Sequence, residues 1–464
     1  MFRKILIANR GEIAVTIIRA CREMGIQSVA VFSEADRDAL HVQLADEAVC
    51  IGPAEPKHSY LNPQAILSAC TITGADAIHP GFGFLSENPD FARMCEKCQV
   101  TFIGPGPETM ELLGDKNSAR RTARENGLPI TPGSRTLIDN PQDALREAEA
   151  IGYPIIIKAT SGGGGRGMRL AENAAELPKA FRAAQMEAEA SFGNRGVYLE
   201  RYLVNPRHIE FQIMGDSYGH VVHLGERDCS LQRRNQKMLE EARSPAMSEA
   251  LRSQMGRDSI RLAQAVEYEG AGTIEYLVDD NGNYYFMEMN TRIQVEHPVT
   301  EAITGINLIQ EQILVAAGER LSFSQRDIKF SGHAMECRIN AEDPLKDFRP
   351  SPGTIKNLIL PGGIGVRVDS AMYPGYTIPS EYDSMVAKII VSGPDRMSCI
   401  RRMRRALTET ALIGVTTNID FHMEILRDPD FIAGSYDIGF LNRKLPQFLN
   451  ELGHPADVSA GQRR

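Results

Sequence analysis

Glu288-Met-Asn-Thr-Arg-Ile-Gln-Val-Glu-His-Pro298 packs two carboxylates, two amides, a guanidinium and an imidazole directly behind an aromatic run, Tyr284-Tyr285-Phe286. That run reads as a strand, as does Thr273–Val278 before it. The connection Asp279-Asp280-Asn281-Gly282-Asn283 contains Asn-Gly, the strongest short hairpin signal. With Asn281 and Gly282 as the two loop residues, Glu275 lies opposite Glu288 on one face, their Cβ atoms about 5 Å apart. A bulge would move this register by one residue. Like charges so placed repel unless a cation intervenes. Acids on a solvated face would look the same locally, but that reading gives no reason for Asn290, Arg292 and Glu296 to follow at once. Two carboxylates and an amide oxygen are hard ligands suited to Mg²⁺, which usually also binds nucleotide phosphates.

The 464 residues suffice for about three domains, and 42% hydrophobic content is enough to bury ordinary cores. A net charge of −9 argues against nucleic acid as the main partner. No run approaches the roughly 20 apolar residues of a membrane span, and Ile5–Ala8 is too short for a signal-peptide core, so a cytoplasmic protein with no membrane partner is expected. Eight scattered cysteines suit a reducing compartment. The single C-x-x-C, Cys95 and Cys98, ends a predicted helix without a second pair nearby and is read as structural.

Residues 3–105 alternate strands (Arg3–Ala8, Gln27–Phe32, Asp46–Ile51, Asp76–His79, Val100–Ile103) with helices (Glu12–Met24, Asn62–Cys70, Asn88–Cys98), the signature of a doubly wound α/β unit. The first turn holds a single glycine, Gly11, and no G-x-G-x-x-G, which argues against dinucleotide binding. After Gly104-Pro105-Gly106-Pro107, residues Glu108–Asn126 read as one helix containing Lys116.

Pro154–Ala159, carrying Lys158, and Met168–Leu170 read as strands around a run of four glycines, Gly162–Gly165. Glycine admits backbone conformations closed to other residues and lets amides approach a phosphate. A Walker A loop would need Lys-Ser/Thr where Met168-Arg169 stand, so the run reads as a flap over phosphates, with a merely flexible hairpin tip as the alternative. Further on, His208, Glu210 and Gln212 alternate with Ile209, Phe211 and Ile213, a polar strand face that lines a cleft or is partly exposed. Gln232–Lys237 is a basic cluster, either solvated or anion-binding. Residues Ala302–Gly318 read as a helix. On the strand His333–Asn340, Arg338 stands among apolar neighbours and needs an anionic partner, in a structural salt bridge or in function.

Taken together, Lys4–Ala14, His79-Pro80-Gly81, Gly83–Glu87, Gly162–Met168, Gly225–Ser230 and Glu288–Pro298 resemble biotin carboxylase, the ATP-grasp component of biotin-dependent carboxylases, over nearly the whole chain. The resemblance implies an α/β and α+β protein: a Rossmann-like domain at 1–114, an ATP-grasp lid with the glycine flap at 115–203, an ATP-grasp core at 204–330 and a C-terminal mixed-sheet domain at 331–448. A disordered tail is expected at 449–464.

It further implies that ATP is held by Lys116, Lys158, Gly163, Gly164, Gly165, His208, Gln232, Asn235 and Lys237, with Glu200, Leu203 and Leu277 at the adenine. Glu275, Glu288 and Asn290 would hold Mg²⁺. Arg292, Gln294 and Val295 would bind bicarbonate, Glu296 would be the general base, Arg338 would face the biotin ureido oxygen and Gly83 would border the biotin site. Asn235 and Phe82 stand where the family carries His and Tyr, Arg243 where it carries Pro, and Thr16 and Ile364 where dimer-surface Arg and Phe are expected. Arg19 and Glu23 match. A homodimer is implied. No Ala-Met-Lys-Met biotin-attachment motif occurs, so a separate biotin carboxyl carrier protein is expected, with carboxyltransferase components as further partners.

Overall fold

The computed structural model describes residues 1–134, 136–159, 168–192 and 195–453. Gly163, Gly164 and Gly165, with the rest of the glycine run, and the tail after Gly453 lie outside the described residues. The chain forms two compact units, one of Met1–Gly127, Arg207–Tyr276 and the residues from Glu288 onward, the other of Leu128–Pro206 with Leu277–Met287. No helix among the described residues is long and apolar enough to cross a membrane.

In the first unit, five parallel strands run in the order Glu47–Gly52, Gln27–Ser33, Lys4–Ile7, Ala77–His79, Thr101–Phe102. The order reverses direction at the first strand, as in a doubly wound sheet. Ile5, Leu6 and Ile7 are all fully buried, which is why this strand reads as an unbroken apolar run rather than an alternation. Asn62 and Asn88 stand just outside the helices they were expected to begin. Each side chain accepts a bond from the backbone amide three residues on, and a proline follows each at the first helical position.

Two expected helices are split. Asp115, with extended backbone, ends Pro107–Gly114 and caps Lys116–Glu125 by accepting from the Ser118 amide, which puts Lys116 at the first position of a new helix. Gly305, at φ 72°, closes His297–Thr304, and Asn307 caps Leu308–Ala316. Glycine supplies the left-handed turn that a continuous helix cannot accommodate.

An eight-stranded sheet follows the order Tyr284–Asn290, Gly270–Val278, Arg207–Gly215, Val221–Arg233, Gln236–Ala242, His333–Asn340, Met385–Gly393, Val366–Ser370. Leu239 pairs with Cys337 and Glu240 with Glu336, so the strands before and after residue 330 share one hydrogen-bonded layer. The second unit has a three-stranded antiparallel sheet, Met168–Ala171, Ile155–Ala159 and Val197–Arg201. Its core is Ile155, Ile157 and Leu199 packed with Phe181 and Ala184 of the helix Leu177–Phe192.

The hairpin expected to close on Asn281-Gly282 has a three-residue loop. Asp279 and Asn283 are joined by a backbone bond of 2.9 Å, and the Gly282 amide, at φ 80°, donates to the Asp279 carbonyl. A third loop residue in the left-handed region matches a type I turn with a bulge, and it shifts the register by one at the turn. The inward alternation of Tyr284 and Phe286 then skips to Met289. Glu288 and Asn290, two residues apart on the strand, share the face opposite Met289.

Glu241 anchors the C-terminal part of the first unit. Fully buried, it accepts from Arg396 Nε at 2.7 Å and from His333 Nε2 at 2.6 Å, and the Tyr436 hydroxyl also donates to it. Burial opposes ionisation of this carboxylate, but His333 and Arg396 overcome it and hold its pKa down at about 2. A depressed carboxyl pKa contributes stability above the ordinary value near 4.5, lost as pH falls toward 2. Glu241→Gln should therefore lower the thermal midpoint at pH 7, by the equivalent of about 3 kcal/mol for a broken buried pair. The gap from wild type should narrow as the pH is brought down to 4; a gap that widens on acidification refutes this role.

Candidate active site

Five neighbouring strands of the large sheet turn charged side chains toward one another in the first unit. The alternation His208, Glu210, Gln212 places three polar groups on one face of Arg207–Gly215, as the sequence pattern indicated. All three are buried rather than exposed, however, and Glu210 and Gln212 are completely so. Arg227, on the adjacent strand, is also fully buried. It donates to Glu210 at 2.5 Å, Gln212 at 2.8 Å, Thr300 at 2.9 Å and Thr273 at 3.1 Å. The guanidinium fork is thus satisfied on several sides, the condition for burying an always-charged group.

Lys237 provides the centre. Its ammonium lies 2.6 Å from Glu210, 3.0 Å from Glu275 and 2.7 Å from Glu296, one carboxylate for each of its three donors. The other oxygen of Glu296 accepts from Arg338 Nη2 at 2.8 Å, and Arg338 Nε donates to Glu240 at 2.6 Å. Arg338 therefore has the anionic partners its strand position demanded. Gln232 donates to His208 Nδ1 at 2.6 Å, which puts the ring proton on Nε2, 3.0 Å from Glu275. Asn290 Nδ2 donates to Glu275 at 2.9 Å.

The carboxylates respond differently to the same crowding. Burial opposes ionisation at all of them. At Glu275 it is overcome by Lys237 and His208, and at Glu296 by Lys237, Arg338 and Arg227, so both are held well below the usual carboxylate range. At Glu210 burial wins over Arg227 and the pKa is raised. At Glu240 burial outweighs Arg338, and with Glu296 nearby the pKa is pushed up to about 7.

Beyond Glu275, Arg292 donates through Nε to Glu87 at 2.8 Å and through Nη1 to Gln294 Oε1 at 2.9 Å. Gln294 is buried, and its Nε2 has no hydrogen-bond partner among the described residues. An oriented, buried donor without an acceptor suits a small anion beside Arg292. Gly83, exposed at φ 70°, lies four residues before Glu87 on the loop where Asn9 donates to the Pro80 and Phe82 carbonyls.

Glu288 pairs with Lys116 at 3.2 Å, while Glu275 is engaged by Lys237, His208 and Asn290. Glu275, Glu288 and Asn290 offer hard oxygen donors, and their chemistry fits Mg²⁺. Two buried groups with ligand atoms close enough for a cation, His208/Glu210/Glu275 and Glu210/Cys229/Glu296, overlap at Glu210. Asn235 is exposed, with φ 64°, in the turn before Lys237. In the second unit, Lys158 and Glu200 form an ion pair across adjacent strands, and Leu203 and Leu277 are half-buried.

The sequence by itself gives no role to Glu87, Glu210, Arg227 or Glu240. The His208–Gln212 alternation announced a polar face at Glu210. Nothing local distinguishes Glu240 from Glu241, one turned toward Arg338 and the other toward Arg396.

Three family models match the chain: "Biotin carboxylase, N-terminal domain" at residues 1–110, "Carbamoyl-phosphate synthase L chain, ATP binding domain" at 115–324 and "Biotin carboxylase C-terminal domain" at 336–443. Biotin carboxylase 1 of Bacillus subtilis is 57% identical over 95% of this chain and 98% of its own length. A pyruvate carboxylase subunit from Methanothermobacter thermautotrophicus is 52% identical over 95% of this chain and 90% of its own. Among solved structures, the biotin carboxylase domain dimer of Hydrogenobacter thermophilus 2-oxoglutarate carboxylase, with MgADP, ADP and bicarbonate, is 48% identical. It superposes with a TM-score of 0.88 over 97% of this chain and 99% of its own.

Removing the shared ammonium should expose its electrostatic role. In Lys237→Met, Glu210, Glu275 and Glu296 lose a common counter-charge and must take up protons to remain buried, which raises their folded-state pKa values above the ordinary carboxylate value. Stability from a raised carboxyl pKa is present at low pH and lost as pH rises. The variant's thermal midpoint should therefore trail wild type by more at pH 8 than at pH 6. An equal or smaller gap at pH 8 would show that Lys237 is not their main counter-charge.

Proposed function

The chain belongs to the biotin carboxylase family, and we propose that the cluster around Glu296 is where its two half-reactions meet. The family's activity is the ATP-dependent carboxylation of biotin with bicarbonate, the work of an ADP-forming ligase that uses Mg²⁺. The assignment of that work to particular residues rests on one observation above the rest: the carboxylate of Glu296 is held by Lys237 on one oxygen and Arg338 on the other.

Bicarbonate is a poor electrophile and a weak nucleophile, so it must be activated. Arg292 and the unpartnered amide of Gln294, with the Val295 backbone N–H, bind and orient it. Glu296, ionised at any working pH, accepts its proton. The carbonate oxygen then attacks the γ-phosphorus of ATP, the bond to ADP breaks, and carboxyphosphate forms. Charge on the transferring phosphoryl group is met by Lys237, Lys116 and Lys158, with His208, Gln232 and Asn235 at the nucleotide and Glu200, Leu203 and Leu277 at the base. Mg²⁺ held by Glu275, Glu288 and Asn290 neutralises phosphate charge when bound. As Lys237 turns to the phosphates its hold on Glu296 loosens, which makes the carboxylate a stronger base at the moment it is needed.

Carboxyphosphate then breaks down to CO₂ and phosphate. The phosphate removes the biotin N1′ proton, Arg338 stabilises the oxyanion developing on the ureido oxygen beside Gly83, and N1′ attacks CO₂ to give N1′-carboxybiotin. The biotin is presented by a carrier protein, and carboxyltransferase subunits pass the carboxyl group on. High identity both to a biotin carboxylase and to a component of a pyruvate carboxylase supports a chain whose chemistry is independent of the final acyl acceptor. A homodimer is also proposed; Ile364, at the position matched to the family's dimer surface, is 92% exposed.

ATP cleavage should depend on Mg²⁺ and bicarbonate, and free biotin should be carboxylated slowly; cleavage indifferent to bicarbonate would refute the reading. Glu296→Gln should abolish both bicarbonate-dependent ATP cleavage and biotin carboxylation. Arg338→Ala, with circular dichroism and melting temperature matched to wild type, should lose about 10²- to 10³-fold in biotin carboxylation while bicarbonate-dependent ATP cleavage falls far less. Equal loss of both activities in a folded Arg338→Ala protein would remove Arg338 from the second step.

A further inference from the structure

Lys388 is fully buried on the central strand Met385–Gly393 and has no part in the chemistry above. Its Nζ donates to the Val295 carbonyl at 2.8 Å and lies 3.1 Å from Glu12, on the helix Gly11–Glu23, and 3.9 Å from Asp369. A buried ion pair is by itself weak evidence of a stabilising role, since desolvation offsets its Coulombic gain. The bond to Val295 is what sets this lysine apart.

The sheet register explains its aim. Lys388 stands opposite Arg338 on one neighbouring strand and opposite Asp369 on the other. Directly opposed residues share a face, so the strands point two cations side by side at consecutive residues: Lys388 at the carbonyl of Val295, Arg338 at the carboxylate of Glu296. The carbonyl one residue earlier, of Gln294, lies 2.8 Å from His297 Nδ1. A carbonyl only accepts, so Nδ1 carries the ring proton. His297 is fully buried, and burial pushes its pKa well down, consistent with a neutral ring.

Both peptides of Gln294-Val295-Glu296 are trans, and in a trans peptide the carbonyl and the following N–H point in opposite directions. Holding the Gln294 carbonyl on His297 therefore turns the Val295 N–H, that residue's sole donor, away from the helix. Holding the Val295 carbonyl on Lys388 fixes the plane from which the Glu296 side chain departs.

We propose that Lys388 and His297 are positioning residues for bicarbonate, which set the two peptide planes that aim the Val295 amide and the Glu296 carboxylate. The inference rests on the reading of Gln294–Glu296 as the bicarbonate loop. Its test is the Michaelis constant for bicarbonate in ATP cleavage by the full chain, with the constant for ATP as control.

Lys388→Met is combined with Glu12→Gln so that Glu12, the nearest carboxylate, is not left unpaired, while Asp369 keeps its bond from Arg367, and His297→Leu is compared with His297→Asn, whose amide keeps a donor near the Nδ1 position. The double variant and His297→Leu should each raise KM for bicarbonate about tenfold or more, the scale of one lost hydrogen bond. KM for ATP should stay within about twofold, and His297→Asn should restore most of the bicarbonate affinity. A purely structural role would lower the melting temperature and the active fraction without moving this constant. An unchanged bicarbonate KM in both, alongside a raised one in Gln294→Leu, overturns the positioning role alone. If the double variant does not fold, equal bicarbonate KM in His297→Leu and His297→Asn overturns it. Wild-type cleavage that ignores bicarbonate overturns the loop reading, and the positioning role with it.

Discussion

A single ammonium with three donors holds three buried carboxylates together at Lys237, and the arrangement of the surrounding strands follows from that constraint. Glu210, Glu275 and Glu296 come from three separate stretches of chain, the farthest 59 residues from the lysine. Each must arrive with an oxygen about 2.6–3.0 Å from the same nitrogen. Such a cluster tolerates little displacement, because any carboxylate that drifts away is left as an uncompensated buried charge.

Charge balance accounts for the unequal behaviour of the acids. Glu210, Glu240, Glu275 and Glu296 face the fixed cations Arg227, Lys237 and Arg338. Four carboxylates against three fixed cations leave an excess of negative charge in a place from which water is largely excluded. The excess appears as raised pKa values at Glu210 and Glu240, where burial wins, while at Glu275 and Glu296 the neighbouring cationic and donor groups outweigh burial and hold both carboxylates ionised.

The continuity of the eight-stranded sheet past residue 330 matters for the same reason. Arg338 and Lys388 reach the Val295–Glu296 segment because their strands lie side by side in the layer that also carries Lys237 and Glu240. Arg292 and Gln294 are oriented from the other side through Glu87, on the loop after the parallel sheet's fourth strand. The Arg292–Glu296 segment is thereby braced by two sheets of different construction.

Much of this was legible in the chain. Apolar runs separated by amphipathic stretches dictated the parallel sheet, because strands covered on both faces must be apolar throughout. The alternation at His208–Gln212 gave away a polar strand face. The density of charge from Glu288 to Pro298 pointed to the candidate site, and the resemblance carried by those residues named the chemistry. What stayed hidden depended on pairing across long separations. The hairpin turn took a third loop residue because Gly282 could adopt a left-handed conformation that Asn-Gly alone does not place. Asp115 and Gly305 broke helices whose periodicity ran on through them. Which of Glu240 and Glu241 faces Arg338, and that Lys388 reaches a backbone carbonyl 93 residues away, follow from sheet register and from burial. A carboxylate or an ammonium has no local preference for its partner; the layer that brings the strands together chooses it.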